Sequence, residues 1–150
     1  MLRNILLPTD GSKAALFAAD TLADLIASVP DVQVTVAIVT EPMTAFNSDY
    51  DEDTVAVQNA KMHDAAVTAL AKTARVLEHK SIPCVTKIIE GDPVSAALAR
   101  DIQDGSYDAI AMGSRGMGMQ TSDPHYLGSV TEHVIRRSHI PVIVVPFHIR

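Results

Sequence analysis

Residues 3–12 read RNILLPTDGS, and the change of character in the middle of this stretch points to the fold. RNILLP is a short apolar run closed by Pro8 and by the turn-forming DGS, so it reads as a buried strand. Ser12 can cap a helix behind it, its hydroxyl satisfying one of the first free amides, and Ala14, Ala15, Ala18 and Leu22 then recur at helical spacing. A strand that runs straight into a helix is half of a crossover unit.

The rest of the chain repeats the alternation. VQVTVAIVT (32–40) is rich in β-branched residues and reads as a second strand, followed by the polar loop EPMTAFNSDYDED. From about Thr54 to His79 the residues Ala60, His63, Val67, Leu70, Ala74 and Leu77 recur at three- and four-residue steps and predict a long amphipathic helix. CVTKIIE gives a third strand, GDP its turn, and Pro93 the start of a helix over Val94 to Gln103. YDAIAMG gives a fourth strand, Ser129 to Arg137 a last helix, and PVIVVPF a fifth strand. Strands separated by helices of this length pair in parallel through right-handed crossovers, which predicts an α/β sheet with helices on both faces. No linker, low-complexity tract or internal repeat interrupts the pattern, so one domain over residues 1–150 is expected.

Composition agrees with that layout. A chain of 150 residues, 47% hydrophobic and 20% charged, can bury one core without a disulfide or structural metal. Cys84 stands alone and reads as a half-buried thiol in a reducing compartment, so a cytoplasmic protein is expected. The formal charge is -6 and no basic cluster exceeds Arg136 and Arg137, which argues against nucleic acid as a partner. Ile5 to Leu7 is too short an apolar run for a signal peptide or a membrane span. Although there are six histidines, none form a close ligand pair on one helix face, and His133 and His139 lie six apart.

In doubly wound sheets ligands lie outside the carboxyl ends of the strands where the strand order reverses. Two loops are candidates to meet there: PTDGS after the first strand, and MGSRGMGMQTSDPHYLGS (112–129) after the fourth. Gly113 and Gly116 let the chain turn without Cβ atoms blocking an approaching anion. Gly128 and Ser129 open a helix whose first amides are unpaired and whose dipole favours negative charge, with Thr131 offering another hydroxyl in that turn. Spacing alone leaves a phosphate cradle and ordinary turn glycines both open. It leaves Asp10 open too, as a ribose contact or as a cap for the first helix together with Ser12.

NILLPTDGS at 4–12, EGDPVSAAL at 90–98, and AMGSRG at 111–116 through GSVTEHVIRRSHIPVIVVP at 128–146 together resemble the universal stress protein family over nearly the whole chain. The resemblance implies the adenine nucleotide alpha hydrolase-like arrangement, a five-stranded parallel sheet of order 3-2-1-4-5. It also implies, in one branch of the family, ATP held at the carboxyl ends of the first and fourth strands with Mg²⁺ or Mn²⁺. That branch is marked by glycine, two residues, glycine, nine residues, glycine, then serine or threonine. Gly113 and Gly116 match the first part, and Gly128 with Ser129 the last. Carried over, Pro8, Thr9, Asp10 and Val39 would line adenine and ribose. Met112, Gly113, Arg115, Gly116, Gly128, Ser129, Val130 and Thr131 would surround ribose and phosphates.

This sequence departs from the pattern in its middle, where eleven residues, Met117 to Leu127, separate Gly116 from Gly128. The additional content includes SDPHY. Asp123 brings a negative charge, which suits a site near phosphates only with a divalent ion between them, or else the loop points away. His125 titrates near neutral pH. Arg115, Asp10, Asp123 and His125 are the local candidates for phosphate chemistry, and no pair has a spacing that compels a role, so the implied function is a nucleotide binder ahead of a slow ATP hydrolase. A regulatory protein of the same fold without nucleotide is the other alternative. In the implied strand order the fifth strand is an edge, long and apolar, so a homodimer through Val142 to Val145 is expected, with a protein partner still to be identified.

Overall fold

The structure is a computed structural model, and it describes residues 1–46, 48–115, 123 and 126–147. The chain runs β1 (Asn4–Pro8), α1 (Lys13–Ile26), β2 (Gln33–Thr40), α2 (Glu52–His79), β3 (Cys84–Glu90), α3 (Val94–Asp104), β4 (Ala109–Gly113), α4 (Ser129–Arg137) and β5 (Val142–Val145). All pairings are parallel, in the order β3-β2-β1-β4-β5. The doubly wound sheet expected from the alternation, with the strand order implied by the resemblance, is therefore present.

Side-chain alternation along the strands divides the core into two layers. Ile5, Leu7, Val34, Val36 and Ala111 face α1 and α2, meeting Leu22, Ile26, Leu70 and Leu77. Leu6, Ala37, Ile110 and Met112 face α3 and α4, meeting Leu98, Ile102 and Val134. A strand buried on both faces has to be apolar at successive positions, which is why NILLP and AIAMG carry no alternating polar residues.

Several boundaries differ from the sequence reading, those of α2, β4 and β5 for identifiable reasons. Helix α2 starts at Glu52 because the Asp51 carboxylate accepts from the Thr54 amide at 2.7 Å. Its buried face also rotates along its length: Leu70, Ala74 and Leu77 are buried as expected, but Ala60, His63 and Val67 are exposed, and Val55, Ala66, Ala69 and Thr73 are buried instead. The expected stripe advances 3.5 residues per turn whereas a straight helix advances 3.6, a drift of about 20° per seven residues that accumulates along the chain. Strands β4 and β5 are shorter than predicted. The Tyr107 hydroxyl donates to Asp101 Oδ2 at 2.9 Å, and Phe147 leaves β5 to pack its ring on Phe17 of α1, centroids 5.8 Å apart.

Strand β1 is fastened to β4 at its amino end by the Asp108 carboxylate, which accepts from the amides of Arg3 and Asn4, both at 2.8 Å. The Asn4 and Arg3 amides hold this carboxyl below its ordinary value of 3.8. Among the described residues no helix is long and apolar enough to cross a membrane.

Candidate functional site

The strand order reverses between β1 and β4, and there the sheet parts. The ladder between them is formed at Ile5↔Ala109 and Leu6↔Ile110, after which β1 continues to Pro8 and β4 to Gly113. The crevice outside the diverging carboxyl ends is where this architecture places a ligand.

On the β1 side the turn is held rigidly. The Gly11 amide donates to Thr9 Oγ1 at 3.1 Å, Thr9 Oγ1 lies 2.8 Å from Thr73 Oγ1, and the Thr73 hydroxyl donates to the Ala69 carbonyl at 2.9 Å. Since Thr73 spends its proton on Ala69, Thr9 must donate to Thr73. The Thr9 amide donates to the Ala37 carbonyl at 2.8 Å, so Thr9 has only its carbonyl left for a ligand. Asp10 Oδ1 accepts the Ser12 amide at 2.9 Å, and Ser12 Oγ accepts the Ala15 amide at 3.2 Å. Ser12 thus caps α1, while Asp10 holds the turn that precedes the helix.

On the β4 side, Ser114 joins three segments. Its carbonyl accepts the Gly128 amide at 2.8 Å, its amide donates to Val145 at 3.0 Å, and its hydroxyl accepts the Phe147 amide at 3.2 Å. The Thr131 hydroxyl donates to the Gly113 carbonyl at 2.9 Å, so it has no proton to give a phosphate, and the amide remains. Arg115 is 7% exposed and donates to the backbone carbonyl of Asp123.

The helix starts differ in one respect. Ser12 caps α1, Asp51 caps α2, and the Glu41 carboxylate crosses from the end of β2 to accept the Val94 amide of α3 at 3.1 Å. Helix α4 begins at Gly128 with no side-chain cap. Ser129 is the first helical residue and is exposed. Among the described residues the amides and positive dipole end of α4 therefore stand without a carboxylate or hydroxyl acceptor at the N-cap, beside the end of β4. This arrangement suits an anion.

The structure brings most of the predicted residues to this edge. Pro8 ends β1 and Thr9 and Asp10 follow it, Met112 and Gly113 end β4, and Gly128, Ser129, Val130 and Thr131 open α4. Val39, Met112 and Val130 all belong to the α3/α4 layer, with Met112 buried at 5% exposure. Gly116 and His125 lie outside the described residues. Among the described residues no three His, Cys, Asp or Glu side chains gather as metal ligands. Sequence reasoning missed Thr73, Ser114, Glu41 and Asn59. The last grips the loop after β2 twice, Oδ1 accepting from the Met43 amide and Nδ2 donating to the Met43 carbonyl, each at 2.9 Å.

A parallel sheet with helices on both faces and an open crevice at its order reversal defines a doubly wound α/β protein. Residues 1–146 match the model of the universal stress protein family. Universal stress protein MJ0531 of Methanocaldococcus jannaschii is 30% identical over 146 residues, 97% of this chain and 82% of that protein. The chain belongs to the universal stress protein family. Among solved structures, that of hypothetical protein MJ0577 superposes with a TM-score of 0.81 at 26% identity, covering 100% of this chain and 99% of that one. A universal stress protein in complex with cAMP shares the fold at a TM-score of 0.68 and 23% identity, covering 95% and 96%.

Proposed function

We propose that this chain binds an adenine nucleotide, ATP foremost, in the crevice between β1 and β4, and works as a ligand-dependent regulatory dimer in a stress response. The observation that carries the reading is the start of α4, which among the described residues meets no capping side chain, unlike α1, α2 and α3. Gly128 leaves space there that a side chain would fill, and the amides of Ser129, Val130 and Thr131 point the positive end of the dipole at an incoming phosphate. Gly113, Gly116 and Arg115 complete the phosphate and ribose side, while Pro8, the Thr9 carbonyl, Asp10 and Val39 form the base side. Mg²⁺ or Mn²⁺ accompanies ATP and neutralises phosphate charge. Capture of cAMP by a protein of the same fold supports an adenine ligand.

Hydrolysis is not part of the reading. Asp10 accepts a backbone amide and Arg115 donates to a backbone carbonyl, so both serve the scaffold. The cytoplasm is the proposed compartment. Calorimetric titration with ATP, ADP, AMP and cAMP, with and without Mg²⁺, tests the reading. Saturable binding is expected, and no heat with millimolar ATP would overturn it.

The proposed dimer forms through Val142–Val145. Carbonyls of Pro141 and Val145 accept from β4, so the alternating main-chain groups of Val142 and Val144 face the open edge. Pairing with a second copy satisfies them. Val144→Pro removes an outward amide while edge strands tolerate proline. Sedimentation velocity is expected to show a dimer for the wild type and a monomer for the variant. A monomeric wild type at micromolar concentration rules the dimer out.

A further inference from the structure

Phe46 is 104% exposed, in the stretch that leaves the carboxyl end of β2. Glu41 ties the beginning of that stretch to α3, Asn59 grips Met43 from α2, and Asp51 starts α2, so its path crosses the carboxyl edge of the sheet. A bare phenyl ring is unfavourable in water, and this one follows directly on the carboxyl end of β2, next to β1 in the sheet. We infer that Phe46 is the base-stacking residue of the nucleotide site, a specificity element that rests on the proposed adenine-nucleotide reading.

Reach and charge both point this way. Phe46 lies three residues beyond the Met43 anchor, a span of about 10 Å at full extension. Neighbouring strands are only about 4.8 Å apart, so the ring can lie over the end of β1 from an anchor beside β2. Asp49, Asp51, Glu52 and Asp53 follow in the sequence, and their charge repels phosphates from this side. A nucleotide is thereby oriented with its anionic end at α4 and its uncharged base toward Phe46. Tyr50, 59% exposed, supplies further ring surface nearby.

The full chain is titrated with AMP as wild type, Phe46→Ala and Phe46→Trp. Truncating a ring that packs on nothing leaves folding intact, which matching melting curves will confirm. Phe46→Ala is expected to weaken AMP roughly tenfold, the ordinary cost of losing one stacked ring. Phe46→Trp is expected to keep wild-type affinity, and its emission, in a chain with 0 native tryptophans, to be quenched by AMP. Equal AMP affinity in wild type and Phe46→Ala, or unquenched tryptophan at saturating AMP, overturns this inference alone. A wild type that binds no adenine nucleotide removes the proposed function and this inference together.

Discussion

Gly11→Ala is expected to cost about 2–4 kcal/mol of folding stability, combining left-handed backbone strain with overpacking of a close contact. Gly11 sits at φ 75°, where a Cβ meets its own backbone, and that Cβ would also lie 2.8 Å from Ala69 Cβ and 3.3 Å from Ala69 Cα. Ala69 belongs to the interior of a 28-residue helix and cannot retreat without moving the helix. The same displacement would pull Thr73 from Thr9. Urea unfolding measures the loss, and the Ala69→Gly background separates its parts: most of the steric share should be relieved there, with the 2.8 Å Cβ contact removed, while the backbone share stays. An unchanged midpoint for Gly11→Ala would mean that the β1–α1 turn does not press on α2.

Gly128→Asp should move stability and nucleotide affinity in opposite directions. At φ -61° and ψ 147° the position accepts any residue, and an added Cβ makes ordinary contact with the Ser114 carbonyl at 3.4 Å. Aspartate there supplies α4 with the cap it lacks, a gain of a few tenths of a kcal/mol over glycine. It also places a negative charge where the phosphates would lie. Two unit charges about 4 Å apart near a protein surface repel by about 4 kcal/mol, so a fall in ATP affinity of up to roughly 1000-fold is expected. Gly128→Asn caps equally without charge and should bind far better than the aspartate variant. If Gly128→Asp binds ATP like the wild type, the phosphates are not at α4.

The legible part of this protein was whatever its sequence repeats locally. Apolar runs closed by Pro8 or by GDP, and helix starts at Ser12 and Pro93, announce themselves within a few residues, so the α/β class follows from spacing. The order of the strands does not, and it came from the family resemblance. The buried face of α2 was misread over its first half because a small error in period grows with length. Tyr107 and Asp108 read as strand, yet their side chains turn to Asp101 and to the start of β1. The groups that shape the site were hidden for another reason. Thr9 and Thr73 are 64 residues apart, and Glu41 and Val94 are 53 apart. Hydrogen bonds over such separations leave no periodic trace, and Ser114, flanked by glycine and arginine, looks like filler until β5 and α4 are placed around it.

The seam between β1 and β4 is closed at one end and open at the other, which gives the sheet the mechanics of a clothes-peg. Two half-sheets, β3-β2-β1 and β4-β5, meet along a ladder of two residue pairs. A change in their angle at the carboxyl edge would break no rung beyond Leu6 and Ile110, and what resists it there is the packing of α1 on β4 and of Phe17 on Phe147. The opposing leverage falls on the amino edge, where one carboxylate grips two amides. Those amides hold the Asp108 carboxyl below its ordinary value, so the grip at the amino edge outlasts in acid that of an unpaired carboxylate.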